Sequence, residues 1–486
     1  MRKTQEEVKE ELRRRRDRYE ANRRARRQRL LGGGAALAVC LVVVLLLGQI
    51  PSPSRQQIGG GPSQEIEGNS SQNGEEHSAI PSEEPKVDAS AGVPAQYNLM
   101  SNIRPLSVTD RESDDAFVQA QMEFALGLLR NVVAEQRGEL ENLQKGGVLL
   151  CPLSAELALA MTANGAEGET LRQMEQVLGG GISIDRLNEY LRTYTEGLPS
   201  VEGSRLQLAN SIWLRNDRPA PFEEFLQTNA NYYGAGAFRA PFGELCDLIN
   251  DWVKEQTEGM IEKLFDELPE STIMVLVNTV LFDGTWSVAY GEKDLREGSF
   301  TAYDGTRRKV TLMSSTEEIA LWGDDGTVGF LKPYKDSRYA FAALLPAEGV
   351  DILDYVSALN AGKLKALLGN QRHGEIDVIL PKFSFSGEQS LSDALRAMGM
   401  PRAFETGAAE FTRMFPGKDD LFLSLVQQNT AIEVSETGTK AAAATGVVVE
   451  DESYTPPLAL DRPFVYMILD TETNLPLFLG VLTDIQ

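Results

Sequence analysis

Nineteen consecutive residues without a charge, Leu30 to Gly48 (LLGGGAALAVCLVVVLLLG), constrain this chain more than any other feature. As a helix the run would be about 28 Å long, close to the hydrocarbon thickness of a bilayer. Before it lies an Arg-rich segment ending RRARRQR: residues 1–29 hold 13 Lys/Arg and 6 Asp/Glu, a net of +7. A cleavable leader has a shorter apolar centre and a small-residue cleavage site, whereas this one has a long basic lead and exits through GQIPSPS. We therefore read residues 30–48 as an uncleaved transmembrane signal anchor, with residues 1–29 as a cytoplasmic tail and everything after residue 48 extracellular at the cell membrane. Cys40 lies inside the run, preceded by Val39 and followed by more apolar chain, which argues against a lipoprotein site. The basic tail reads as a topology determinant in contact with the lipid surface.

The charge asymmetry also bears on partners. The whole chain of 486 residues carries −24, so the part beyond residue 29 carries −31. A body that acidic repels phosphate backbones, which sets nucleic acid aside. Residues 49–112, rich in Gly, Pro, Ser, Gln and Glu, show no apolar period and read as a flexible linker. His77 falls in it, leaving His373 as the single histidine of the folded part. Cys40, Cys151 and Cys246 cannot make a disulfide framework, and no Cys/His cluster suggests a metal. Cys151 and Cys246 read as buried small hydrophobes.

From about Ser113 to residue 486 the chain looks folded throughout. Ser113, Asp114 and Asp115 form a helix start, and Phe117, Gln121, Phe124 and Leu128 share one face. Further helical patterns follow after Pro152 and over GETLRQMEQVLG. Then the texture changes to strands: LQLANSIWLR, IMVLVNTVLFDGTW, YAFAALLP, IDVILPKFSFS, LFLSLVQQNTAIEVS, FVYMILD and PLFLGVL are rich in β-branched and large apolar residues. Helices first and several long strands after them give an α+β fold.

The search for chemistry is negative. The chain has no GxGxxG after a strand, no GxxxxGK[ST], no HExxH and no GxSxG. A serine hydrolase would need His373, whose context QRHGE reads as an ordinary surface loop. The sequence does not read as an enzyme, and no cofactor is implied.

One segment is unusual. After IEVSE comes TGTKAAAATGVVVEDESYTPPL. At a strand period of two, Thr439, Ala441, Ala443, Thr445, Val447 and Val449 share one face, while both charges, Lys440 and Glu450, lie on the other. The segment is too rich in Gly and Ala to be a good independent strand, yet it carries a consistent inside face, as if built to enter a sheet later. ETGTKAAAAT at 436–445, followed by RPF at 462–464 and PLFLGVL at 476–482, closely resembles the hinge, reactive-centre loop and C-terminal strands of serpins. The resemblance extends, in order, over nearly all of residues 113–486: GGVLLCPLSAELALAMTANGAEGETLRQM looks like the family's second helical region, ANSIW and FLQTNANYYGAGAFRAPF like its next strand and linker, INDWVKEQTEGMIEKLF and VLVNTVLFDGTW like its central segment.

The resemblance implies a five-stranded main sheet, two further sheets, surrounding helices and an exposed reactive-centre loop held in a metastable state. It implies a suicide-substrate inhibitor of serine or cysteine endopeptidases, in which the attacked loop forms an acyl-enzyme and its hinge inserts as a central strand. The alternative is a non-inhibitory binding or surface protein on the same fold. The hinge would be Glu436, Gly438, Thr439, Lys440, Ala441, Ala442, Ala443, Ala444 and Thr445; it has no Pro and its one charge after Glu436 faces outward, which favours insertion. Family spacing puts the reactive bond at Glu452-Ser453, with Tyr454 an open alternative, and an acidic residue there implies a glutamyl endopeptidase as the target. Trp286 resembles the tryptophan where the loop begins to insert, and Lys382 with Glu436 the ion pair that holds the hinge. Ser154 and Asn278 match polar residues of the shutter beneath the opening sheet, where Cys151 and Gln428 stand in place of the family's usual Ser and His. A monomer that forms a covalent complex with its protease is the expected assembly.

Overall fold

The computed structural model describes residues 35–47, 92–137, 146–201, 203–324, 326–416, 421–436 and 457–485. The helical half comes first. Asp114 caps helix α1 (Asp115–Gln136) by accepting from the Phe117 N–H at 2.9 Å. Helix α2 (Pro152–Ala163) is buried at every residue, as its apolar circumference demands, and packs behind the main sheet. Helices α3 (Gly168–Gly179), α4 (Ile184–Gly197) and α5 (Glu223–Tyr233) are amphipathic and pack around it, while the amphipathic α6 (Phe242–Gln256) packs on the other face of the main sheet.

The strands in chain order are β1 (Ala35–Leu47), β2 (Gly147–Leu150), β3 (Ser204–Arg215), β4 (Gly236–Ala240), β5 (Thr272–Gly284), β6 (Leu295–Thr301), β7 (Arg307–Asp324), β8 (Thr327–Pro333), β9 (Tyr339–Pro346), β10 (Arg372–Pro381), β11 (Phe383–Ser390), β12 (Leu421–Val434), β13 (Leu458–Ala459), β14 (Phe464–Asp470) and β15 (Leu475–Leu482). The main sheet runs β11-β12-β1-β5-β3-β4, antiparallel except for β3 with β4. The second sheet follows β13-β10-β7-β8-β9-β14-β15-β2, with β6 also on β7. The further sheets expected beside the main one are joined through the 18-residue β7, which pairs β6 along 307–313, β10 along 312–321 and β8 along 320–324.

The largest departure from expectation is in the main sheet. Five of its strands are those the resemblance implies; the sixth is β1, part of the run read as a transmembrane helix. Ala35–Leu47 lies between β5 and β12, antiparallel to both, from Ala35 opposite Gly284 and Val434 to the far end, where Leu46 and Leu47 meet Thr272 and Leu421. A continuous apolar run fits a membrane helix and a strand buried on both faces equally well, and periodicity alone does not separate them. Val39, Val42, Val43 and Val44 add β-branched character, and β5 and β12 supply a ladder partner on each side. Among the described residues no helix is long and apolar enough to cross a membrane.

Three smaller expectations also change. The run at 225–242 is a helix followed by a short strand, with Gly234 at φ 55° closing α5. His373 is exposed as read, but on strand β10 opposite Ala320, not in a loop. The end of the segment read as a linker is tied to the body: Asn98 bridges Phe238, the Leu106 N–H donates to Asn231 Oδ1 at 2.8 Å, and Arg111 pairs with Glu189 at 2.7 Å.

Candidate functional site

Two constellations flank the gap that β1 fills. The first is at its upper end, where β12 ends at Val434 and the chain continues through Ser435 and Glu436. Trp286, 2% exposed, donates from Nε1 to the Ser435 carbonyl at 2.9 Å. Its ring stacks on Tyr334 at 4.6 Å between centroids and meets Phe341 edge-on at 6.0 Å, so its orientation is fixed by packing. The Tyr290 N–H donates to the Glu436 carbonyl at 3.1 Å. The Glu436 carboxylate pairs with Lys382 at 2.7 Å, and Lys382 is itself placed by its N–H on the Thr311 carbonyl. Partial burial disfavours the ionised Glu436, but the Lys382 ammonium prevails and holds the carboxyl below its usual range. With both side chains partly exposed, the pair contributes at most about 1 kcal/mol.

Beneath the two aromatic residues lies a feature that sequence reading missed. The ammonium of Lys332, 1% exposed, contacts Glu317 Oε1, donates to the Val288 carbonyl at 3.1 Å, and faces the rings of Tyr290 at 4.5 Å and Trp286 at 5.5 Å. Ser315 Oγ donates to the same Glu317 oxygen. Burial pulls the Lys332 ammonium below its ordinary range, with Glu317 acting the other way. The available signal was the strand VGFLKPY, where a lysine interrupts an apolar stretch leading into Pro333 and Tyr334.

The second constellation lies halfway down. The Cys151 N–H donates to Gln428 Oε1 at 2.9 Å, and Gln428 Nε2 donates back to the Cys151 carbonyl at 3.1 Å. The amide thus joins strand β12 to the start of α2 through one donor and one acceptor. On the other side of the gap Ser154 Oγ donates to Asn278 Oδ1, Asn278 Nδ2 donates to Asn210 Oδ1 at 2.8 Å, and Asn210 Nδ2 to the Tyr233 carbonyl at 2.9 Å. Gln428 and Asn278 both stand opposite register position 41 of β1. Burial pushes the Cys151 thiol up to about 12, which makes it inert as a nucleophile. Cys246 is only partly buried, unlike the expectation, with Sγ 3.7 Å from the Phe265 carbonyl.

Trp286, Lys382 and Glu436 are therefore brought together, as are Cys151, Ser154, Asn278 and Gln428. The hinge from Gly438 through Thr445 and the bond Glu452-Ser453 lie outside the described residues. Among the described residues no group of His, Cys, Asp and Glu side chains is arranged to hold a metal ion.

Residues 119–485 match the family described as Serpin (serine protease inhibitor). A serpin-like protein of Thermococcus kodakarensis is 33% identical over 68% of this chain and 79% of its own length. Iripin-2 of Ixodes ricinus is 31% identical over 76% of this chain and 94% of its own. The crystal structure of tengpin, a thermophilic serpin, in its native state superposes with a TM-score of 0.71 at 36% identity, covering 80% of this chain and 99% of tengpin; tengpin in its latent state gives 0.65 at 33%, covering 78% and 100%. The order of elements and these similarities agree: the chain belongs to the serpin family, whose members generally inhibit proteases rather than act as enzymes.

Proposed function

We propose that this serpin is an inhibitory, membrane-anchored member that traps an extracellular serine endopeptidase as an acyl-enzyme, with Glu452-Ser453 as bait and a glutamyl endopeptidase as target. The observation that carries the reading is the gap between β5 and β12. It takes a strand of 13 residues antiparallel to both neighbours and beginning beside Val434. A loop that leaves β12 at Glu436 and folds back would run in that direction. Residues 439–449 would span about 36 Å, enough to occupy most of the gap. Their inside face is small and uncharged, so insertion gains two ladders of hydrogen bonds without burying a charge. Trp286 and Tyr290 hold the carbonyls of Ser435 and Glu436, so the turn into the gap begins from a fixed point. Anchoring rests on the basic tail followed by the apolar run, which places the body outside the cell.

One observation favours the alternative, a serpin fold that does not inhibit: with β1 in the gap, the loop has no place to go.

The test is a change of specificity. Glu452→Arg should abolish the covalent complex with glutamyl endopeptidases and create one with trypsin-like enzymes, because the pocket that receives this residue must change the sign of its charge. Denaturing gels of wild type and variant with both protease classes give the answer. Loss of complex in Tyr454→Ala but not in Glu452→Arg would move the reactive bond.

A further inference from the structure

The apolar segment at residues 35–47 pairs along its whole length with β12 and from Ala35 to Leu46 with β5, and it runs in the direction the loop would take. A strand position holds one strand. We propose that this segment has two mutually exclusive places, the bilayer and the gap in the main sheet, and that it is an intramolecular stopper: anchored in lipid it leaves the gap to the reactive loop, and free of lipid it fills the gap and silences the inhibitor. The inference rests on the loop-insertion and anchoring readings above.

Three features point the same way. The register is long and nearly regular, with single shifts near Val44/Leu45 against β12 and Leu45/Leu46 against β5, so the pairing is a true ladder on both sides. The segment carries no charge, so neither home requires burying one. Residues 48–91 connect it to the body and, fully extended, could span about 150 Å, which allows it to leave the sheet while the body stays attached. The exchange breaks no covalent bond. It trades two strand ladders for the internal hydrogen bonds of a membrane helix, the other way of pairing every backbone group of an apolar run.

The consequence for regulation is specific. A tethered strand competes at an effective concentration of about millimolar. Entry of the loop or of an added peptide is reduced by the fraction of time the gap stands open, and a gap open for about a tenth of the time takes it up about tenfold more slowly in the lipid-free chain. Anchoring removes the competitor, so the same molecule is armed at the membrane and inactive once extracted from it.

The experiment uses the full chain and needs no protease, so it fails or succeeds independently of the inhibitory reading. A fluorescent peptide of residues 439–451 is added to protein in vesicles of phosphatidylethanolamine and phosphatidylglycerol, and to the same protein in lipid-free, detergent-free buffer; incorporation is read on native gels. Val42→Pro is run beside it. Position 42 pairs with Val277 and Gln427 in the middle of a central strand, where proline removes a ladder N–H, whereas a membrane helix tolerates it. Wild type should take up the peptide about tenfold faster in vesicles than without lipid, and Val42→Pro should take it up at the vesicle rate in both. Equal uptake by wild type in the two conditions, refusal by the vesicle-bound protein, or refusal by lipid-free Val42→Pro would each overturn the proposal. Peptide uptake as expected, with no covalent protease complex in vesicles, would instead remove the inhibitory reading and leave the two-place segment standing.

Discussion

Thr439→Arg, in the bilayer-anchored protein, should be cut after Glu452 as fast as wild type and leave the protease active. In the proposed insertion Thr439 would be the first residue of the hinge on the face that turns under the sheet. An arginine there must be taken out of water as insertion starts, at a cost of several kcal/mol. Docking of the protease is unaffected because the substitution lies far from the reactive bond. The outcome is a race between insertion and deacylation, and each 1.4 kcal/mol on the insertion barrier slows that branch about tenfold. Deacylation wins. The ratio of covalent complex to cleaved inhibitor on a denaturing gel should fall at least tenfold, while Lys440→Arg, on the outward face, should match wild type. An unchanged ratio in Thr439→Arg would mean that this hinge does not enter the sheet.

Lys332→Met should lower the stability of the body by about 3–5 kcal/mol, because it leaves the Glu317 carboxylate buried without its cation. Glu317 keeps the Ser315 hydroxyl, and the rings of Trp286 and Tyr290 lose the charge that faces them. The loss has a definite pH dependence. An unpaired buried carboxyl binds its proton more tightly than in the unfolded chain, so in the variant its contribution is favourable in acid and lost as pH rises through the raised value. The gap between variant and wild type should therefore be widest at neutral pH and narrow below about pH 4. Adding Glu317→Gln should recover more than half of the loss, since no unpaired charge then remains. Denaturant midpoints of the single and double variants across pH check this; equal loss in both at neutral pH would show that packing of the lysine stem, rather than its charge, supports the cluster around Trp286.

Much of the fold was legible because its signals are local and redundant. The Asp114 cap, the fully apolar α2 and the dense strands from residue 204 onward each announce their own type, and the structure has them in that order. The partners of Trp286, Gln428 and Asn278 could be anticipated only through family resemblance, since each meets residues far along the chain: Trp286 reaches Ser435, and Gln428 reaches Cys151. Lys332 with Glu317 escaped because nothing in a linear pattern says that two charges on adjacent strands are buried as a pair. The strand at 35–47 within the apolar run at 30–48 was not legible for a different reason. Helix in lipid and strand in a sheet ask the same composition of a chain, and the difference lies in whether two strand edges elsewhere in the fold await a partner.

The most direct measurement of the central claim is the intact mass of what forms when the vesicle-anchored protein meets a glutamyl endopeptidase. Trapping by an acyl bond at Glu452 gives a denaturant-resistant species whose mass is that of protease plus chain, less the released residues 453–486 and with no added water at the acyl bond. A mixture of free, active protease and an inhibitor cleanly hydrolysed into residues 1–452 and 453–486, with no such species at any time point, would contradict it.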